Sequence, residues 1–169
     1  SSDIDLIFAY GQNGESDGGK SIEAQEYYKR QIQQIVRALN EATPEGFVYR
    51  VDTRLRPFGD AGAMAASLTA MEGYYQNHGR EWERYAWIKA RPVAGDIPAG
   101  KQLIKLLRPF VYRRYLDFSA FESIREMKAM IDKQVEQRGV EHNIKIGRGG
   151  IREVEFIAQA FQLIRGGHE

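Results

Sequence analysis

The sequence predicts an α+β fold, in which a small sheet covered by one helix is followed by a helical bundle. Two segments, at residues 3–10 and 47–56, have the composition and alternation of strands. The chain after residue 60 repeats apolar residues mainly at helical spacing and has no internal repeat. With 169 residues, 43% of them hydrophobic, the chain is long enough for one compact core and short for more than two small domains.

The first half of the chain is predicted to form a strand, a loop and a helix. Asp3–Tyr10 is strand-like, and the Gly, Ser, Asn and Asp content of residues 12–20 predicts a loop. A helix is expected to follow from Ser21, its predicted N-cap. Its core stripe consists of Tyr28, Ile32, Ile35, Val36 and Leu39.

The segment 47–56 alternates between two faces and ends at Pro57 and Gly59. The apolar face carries Phe47, Tyr49, Val51, Thr53 and Leu55, and the charged face carries Arg50, Asp52, Arg54 and Arg56. This segment is therefore predicted to be a second strand with one acid among three arginines.

Helices are predicted for most of the remaining chain. The first begins at a cap formed by Thr69 and Glu72 or by Ser67, and the second covers Glu81–Ala90. Two more helical stripes follow at 103–111, with Pro109 as a kink or boundary, and at 121–135. The segment 144–165 is predicted to be a short strand, a glycine turn and a helix that buries Val154, Ile157, Ala158, Phe161 and Ile164.

Overall charge and cysteine content exclude several classes of function. The 24 Lys and Arg residues nearly balance the 23 Asp and Glu residues, so the net charge of +1 attracts neither nucleic acid nor acidic membranes. Cysteine is absent, which excludes disulfides and thiolate metal sites and fits a cytoplasmic protein. No apolar run approaches the roughly 18 residues of a membrane span. We expect no nucleic-acid and no membrane partner.

Three aspartates are the strongest candidates for a chemical site. Asp3 and Asp5 lie two residues apart on one strand, which places them on one face about 7 Å apart. If the Asp52 strand lies alongside, a third carboxylate converges there, and such a cluster is costly unless cations neutralise it. Carboxylates without His or Cys favour Mg²⁺ or Mn²⁺ and suit phosphoryl or nucleotidyl transfer. Arg54 and Arg56 could then hold phosphate oxygens.

Each candidate site also has a plain structural interpretation. The D-x-D pattern alone is common by chance and is more often a solvated strand end than a metal site. Gly149 and Gly150 could present backbone N–H groups to a phosphate, or they could simply allow a tight turn into the helix. From physical chemistry alone the turn is favoured.

Four motifs, in order, make the whole chain resemble the glutamine synthetase adenylyltransferase family: SSDIDLIF, FVYRVDTRLRPFG, WERYAWIKARPVAGD and IKIGRGGIREVEFIAQ. Members of this bifunctional family of bacterial nitrogen control contain two nucleotidyltransferase domains of the polymerase-beta superfamily. Two further stretches, RRYLDFS at 113–119 and FQLIRGG at 161–167, resemble the adenylyl-removing half more than the adenylylating half.

The resemblance implies a fold, a reaction and partners. Residues 1–92 would form a nucleotidyltransferase core that lacks its N-terminal part, and 93–169 a helical subdomain. Asp3, Asp5 and Asp52 would be the acidic triad, with Mg²⁺ or Mn²⁺ as cofactor. The reaction would be phosphorolysis of adenylyl-tyrosine on glutamine synthetase, giving ADP. Glutamine synthetase, a PII-type signal protein, nucleotide and inorganic phosphate would be the partners.

The sequence is also compatible with two alternative functions. The chain could belong to the adenylylating half, which transfers AMP from ATP to glutamine synthetase. It could also be a non-catalytic regulatory or interaction module with vestigial acids. The resemblance also implies a glycine-containing turn and helix before the D-x-D strand, as is usual in the superfamily, and these are not in this sequence, which begins at Ser1. We therefore expect a piece of a longer polypeptide that is weakly active or inactive alone.

Overall fold

The computed structural model describes residues 3–46, 48–112, 125–126, 128–129, 132–133, 143–145, 147 and 149–166. The strands within these ranges are β1 (Ile4–Asp5), β2 (Phe8–Tyr10), β3 (Val51–Asp52) and β4 (Ala65–Ser67). The helices are α1 (Ala24–Asn40), α2 (Leu68–Asn77), α3 (Glu81–Ile88), α4 (Ile97–Val111) and α5 (Ile151–Arg165), with a short 3₁₀ turn at Gly59–Ala61. Strands and helices are thus mixed, as the sequence predicts.

The strands form two small parallel pairs. β1 pairs with β3, and Asp5 is the register partner of Asp52. β2 pairs with β4, and Phe8 and Tyr10 are opposite Ala65 and Ser67. Parallel neighbours require a crossover, and α1 lies in the connection between β2 and β3. The expected placement of the Asp52 strand beside the first strand is confirmed.

Contacts divide the chain into two units, Ser1–His78 with Pro92–Leu103, and Gly79–Arg91 with Ile104–Glu169. The sequence-based domain boundary after residue 92 stays a prediction. In none of the described ranges is a helix long and apolar enough to cross a membrane.

The core of the first unit lies between α1 and the second strand pair. Tyr10, Ile32 and Ala65 are buried together, and Tyr28 stacks on Tyr10 with ring centroids 5.0 Å apart. The small side chain of Ala65 leaves room for these larger neighbours. This burial explains why α1 keeps an apolar stripe, and Ile32 is its buried centre.

Two predictions about α1 are wrong in detail. The helix begins at Ala24, and Glu23 rather than Ser21 is its N-cap residue. The Ser21 hydroxyl instead donates a hydrogen bond of 2.8 Å to Glu15 in the preceding loop. Ile35, predicted to face the core, is exposed.

Most of the predicted strand 47–56 does not form strand. Only Val51 and Asp52 pair as strand, and Phe47 lies outside the described residues. The Asp52 carboxylate accepts a 2.8 Å hydrogen bond from the backbone N–H of Arg54, and this contact closes a turn where alternation alone predicts continued strand.

The residues before α2 contain a strand that the sequence does not reveal. Ala65–Ser67 forms β4, although alanine has low strand propensity. Ser67 ends this strand and caps α2, since its hydroxyl accepts a 3.2 Å hydrogen bond from the N–H of Ala70. Of the two caps predicted, Ser67 is the one observed.

The second unit is built around α3 and α5. The Tyr85 ring stacks on Phe156 at 5.2 Å, and Lys89 forms an ion pair with Glu155. Arg84 is buried, and its Nε donates a 3.0 Å hydrogen bond to the carbonyl oxygen of Val111 at the end of α4. These contacts join the helices of this unit.

Two helix predictions in this region concern boundaries. Pro109 neither ends nor begins α4, which continues to Val111 with the proline inside it. The predicted stripe at 121–135 lies largely outside the described residues, and those described within 125–133 are helical.

The face of α5 that is buried differs from the prediction. Phe156 and Leu163 are buried. The predicted core residues Val154, Ile157, Ala158 and Phe161 are exposed, and Ile164 is half-buried. The strand predicted before the glycine turn is also wrong, because the described residues Ile144 and Lys145 form a turn.

Candidate functional site

Two carboxylates lie side by side at the ends of β1 and β3. Asp5 and Asp52 are the last residues of their strands and are direct partners in parallel register. Partners in a parallel pair present their side chains on the same face of the sheet. The structure therefore brings Asp5 and Asp52 together at the carboxyl ends of the strands.

Asp3, two residues earlier, is held by Arg50. The Arg50 Nε donates a 2.7 Å hydrogen bond to Asp3 Oδ1, and its Nη2 donates a 2.9 Å hydrogen bond to Oδ2. This bidentate contact raises the pKa of Arg50, chiefly through the hydrogen bond to Asp3. The register that pairs Ile4 with Val51 also places Asp3 beside Arg50, which sequence alternation alone does not show.

Asp52 is held by Arg54 in a similar way. The Arg54 Nε donates hydrogen bonds of 3.0 and 2.9 Å to the two carboxylate oxygens, and its Nη2 contacts Oδ2. The side-chain hydrogen bond from Arg54 is the main reason that the pKa of Asp52 is lowered. The Arg54 side chain is 71% exposed, so it can change partners without leaving a buried site.

Asp5 differs from Asp3 and Asp52 because neighbouring carboxylates repel its negative charge, and no arginine side chain among the described residues donates a hydrogen bond to it. The pKa of Asp5 is raised, and partial burial is the largest cause. The negative charges of Asp52 and Asp3 raise it further, whereas the positive charge of Arg54 lowers it. Among the described residues no side chain donates a hydrogen bond to Asp5. Neighbouring carboxylates whose pKa values move in opposite directions are typical of sites that handle protons or cations.

The donor set suits a hard divalent cation. Carboxylate oxygens are preferred ligands of Mg²⁺ and Mn²⁺, and the crowded charge at Asp5 is what a cation would relieve. Within the part of the chain that is described, however, no three His, Cys, Asp or Glu side chains are gathered closely enough to hold a metal ion. Asp3 and Asp52 are turned to Arg50 and Arg54 instead.

Arg56 supports the turn after β3. Its Nη1 donates a 2.8 Å hydrogen bond to the carbonyl oxygen of Thr53, and its Nε donates one of 3.3 Å to that of Gly62. Asp60 lies within 3.6 Å of Arg56 Nη2, and the Arg56 side chain is only 11% exposed. Phosphate binding by Arg56 stays a prediction, and these contacts favour a role in holding the turn.

Phe58, in the same turn, is a residue that the sequence analysis missed. Its φ is +61° and ψ +10°, in the left-handed region. Elsewhere in the described ranges, every residue with positive φ is a glycine. The Pro-Phe-Gly sequence indicates a turn, but only the structure shows that Phe58 takes the left-handed position within it.

The glycines at 149 and 150 form the tight entry into α5. Gly149 has φ +71°, and its N–H donates a 2.6 Å hydrogen bond to Glu153. A Cβ at Gly150 would lie 2.7 Å from the carbonyl oxygen of Ile144 and 2.8 Å from that of Gly147. These observations favour the turn interpretation, because the Gly149 N–H already binds a carboxylate. Phosphate binding by Gly149 and Gly150 stays a prediction.

Comparisons with known proteins place the chain in a class and then in a family. A family model described as Glutamate-ammonia ligase adenylyltransferase matches residues 1–105, and one described as GlnD PII-uridylyltransferase matches residues 125–169. The parallel sheet with its paired aspartates thus belongs to a nucleotidyltransferase-related protein. The chain is a member of the glutamate–ammonia ligase adenylyltransferase family.

Curated relatives are similar along the whole chain. Each is named bifunctional glutamine synthetase adenylyltransferase/adenylyl-removing enzyme. Those of Nitrosococcus oceani, Pseudomonas aeruginosa and Thioalkalivibrio sulfidiphilus are 61%, 59% and 58% identical over 100% of the chain. The chain spans 18%, 17% and 17% of their respective lengths. The resemblance found from the motifs is therefore confirmed.

Proposed function

We propose that this chain is the core of the adenylyl-removing domain, which phosphorolyses adenylyl-tyrosine on glutamine synthetase. The observation that carries the proposal is the register partnership of Asp5 and Asp52, with Asp3 just before β1 and Arg54 bound to Asp52. The stretches RRYLDFS and FQLIRGG, which resemble the adenylyl-removing half, favour removal over transfer.

The proposed reaction is an in-line displacement at phosphorus. An oxygen of inorganic phosphate attacks the adenylyl phosphorus, the bond to the tyrosine oxygen breaks, and ADP leaves. The tyrosine oxygen departs with the electron pair and takes up a proton. Mg²⁺ or Mn²⁺, held by Asp3, Asp5 and Asp52, would supply charge neutralisation at the phosphorus-bound oxygens.

Arg54 has the exposure and charge to bind the attacking phosphate. Its guanidinium already forms a fork with a carboxylate, and phosphate oxygens fit the same fork. Because the side chain is largely exposed, exchange of Asp52 for phosphate requires no burial of charge. The proposed partners are glutamine synthetase, a PII-type signal protein, nucleotide and inorganic phosphate. The net charge of +1 gives no support for nucleic acid.

The test measures product identity. A chain extended to the length of its relatives is incubated with adenylylated glutamine synthetase, phosphate and Mg²⁺, and ADP is measured. We expect ADP formation that Asp5→Asn abolishes, while Asp17→Asn, the same change in an exposed loop, leaves it intact. If Asp5→Asn instead abolishes pyrophosphate release from ATP with unmodified glutamine synthetase and leaves ADP formation intact, this part of the chain carries out the adenylylating reaction. We expect the 169-residue chain alone to be weak or inactive.

One observation favours a non-catalytic module as the second candidate. Asp3 and Asp52 each already have an arginine as counterion, so their negative charges have partners without a metal. Titration calorimetry with Mg²⁺ and Mn²⁺ on the extended chain separates the two cases. Metal binding that Asp5→Asn weakens supports the enzyme. Metal binding that Asp5→Asn leaves unchanged, or no metal binding at all, supports the module.

A further inference from the structure

Phe58 is an exposed aromatic residue in a costly backbone conformation. The left-handed region brings a Cβ close to the backbone, so glycine or asparagine is the ordinary choice there. Phe58 nevertheless keeps 61% of its surface exposed, so burial does not account for the residue. Strained residues of this kind concentrate at ligand sites, where the surrounding structure holds them.

The turn that carries Phe58 is fixed from inside. The Arg56 guanidinium binds the carbonyl oxygens of Thr53 and Gly62, which lie on either side of Phe58 in sequence. The N–H of Gly59 donates a 2.8 Å hydrogen bond to the carbonyl oxygen of Arg56, and the N–H of Gly62 donates one of 3.1 Å to that of Gly59. Phe58 is therefore presented on a preorganised loop.

One side of the Phe58 ring has a partner within the protein. The Tyr74 ring meets it edge to face, with centroids 4.7 Å apart and planes at 70°, and His78 lies at 5.7 Å. These contacts orient the ring but leave most of it open to solvent. Nucleobases stack on exposed aromatic side chains, and Phe58 is 61% exposed.

The loop also starts at the candidate site. Phe58 follows Asp52 by six residues, which span at most about 20 Å when extended, and the turns at Thr53–Arg56 and Arg56–Gly59 shorten this distance. Loops that follow the carboxyl ends of parallel strands are the usual location of ligands in such sheets. Phe58 thus belongs to the loop that leaves the carboxyl end of β3 directly after Asp52.

We propose that Phe58 is the stacking surface for the adenine base of the adenylyl nucleotide whose phosphorus lies at Asp5 and Asp52. This inference rests on the proposed function. It assigns the base to the ring and the phosphates to the acids and Arg54, so the two ends of the ligand depend on different residues.

The test separates the base from the phosphates. Binding of ADP and of pyrophosphate, each with Mg²⁺, is measured by titration calorimetry on the chain extended to the length of its relatives. Phe58→Leu keeps apolar contact with Tyr74 but removes the aromatic face. We expect it to weaken ADP binding about tenfold and leave pyrophosphate binding unchanged, while Phe58→Trp restores ADP affinity. Tyr27→Leu is the matched control, because Tyr27 is also exposed and packs edge to face on a tyrosine.

The outcomes distinguish this inference from the proposed function. If Phe58→Leu weakens the binding of ADP and of pyrophosphate equally, Phe58 only supports the turn. Unchanged affinity for ADP would likewise contradict the stacking role. If the parent protein binds neither probe, or if Asp5→Asn leaves both affinities unchanged, the proposed site itself fails and the stacking role fails with it.

Discussion

Gly62→Ala tests whether the turn after β3 is as tightly closed as its contacts indicate. Gly62 has an ordinary φ of −86°, so alanine meets no backbone penalty there. Its new Cβ, however, would overlap the carbonyl oxygen of Pro57 and lie 3.0 Å from the carbonyl carbon. Both obstacles are backbone atoms, so a side-chain rotation cannot relieve the overlap and the turn must open.

The expected cost follows from what the opening breaks. Overpacking of this kind costs about 1–3 kcal/mol. Opening also strains the 3.1 Å hydrogen bond from Gly62 N–H and the 3.3 Å bond that its carbonyl accepts from Arg56, each contributing about 1 kcal/mol. The lower entropy of unfolded alanine returns about 0.4–1 kcal/mol. We expect a net loss of about 2–3 kcal/mol, a fall in Tm of roughly 5–10 °C.

The assay must report the first unit. Both tryptophans, Trp82 and Trp87, lie in the second unit, so unfolding is followed by circular dichroism, with hydrogen exchange of peptides covering α2. Gly73→Ala is the control, because a Cβ inside α2 meets nothing within 4 Å and alanine favours helix by about 0.5–1 kcal/mol. If Gly62→Ala is as stable as Gly73→Ala, the closed turn is wrong.

Three further predictions concern single side chains. Because the pKa of Asp5 is raised in the folded protein, ionisation of its carboxyl group at about pH 7 destabilises the fold. Without divalent cations, Asp5→Asn should therefore increase the free energy of unfolding at this pH. This gain in stability should disappear below pH 3.8, the ordinary pKa of an aspartate, and urea unfolding across this pH range would show it. Arg84→Met should cost roughly 2–3 kcal/mol, because the Val111 carbonyl loses its buried donor, and tryptophan fluorescence should show it. Leu163→Ala should cost about 2–5 kcal/mol and Val154→Ser within about 0.5 kcal/mol; similar losses would contradict the observed orientation of α5.

Local chemistry made the acids and most helices predictable. The D-x-D pattern before an apolar run predicted one strand, and the charged alternating segment predicted a second strand beside it. Asp5 and Asp52 are indeed register partners in these two strands. Hydrophobic spacing likewise located α1 and α3, since each has a strong local signal.

Tertiary contacts decided the features that sequence patterns could not. Helix α5 is apolar on two faces, one with Phe156 and Leu163 and another with Val154 and Phe161, so periodicity gives no basis for choosing the buried one. Ala65 becomes strand only because β2 pairs with it, against its own low propensity.

The arginine contacts were hidden for a similar reason. Alternation placed Arg54 and Asp52 on one face of a strand. It could not show that the Asp52 carboxylate accepts a hydrogen bond from the backbone N–H of Arg54, which closes a turn. The pairing of Asp3 with Arg50 depends on strand register, which a single sequence does not specify.

The contact between Arg84 and the end of α4 restricts which side chain can replace Arg84. The Val111 carbonyl belongs to the last turn of α4, where carbonyl groups have no partner within the helix, and Arg84 donates to it from α3. The same guanidinium also donates from Nη1 to Glu81. Lysine would keep the positive charge, but its ammonium is not a planar fork that reaches both acceptors, so Arg84→Lys is not a conservative substitution.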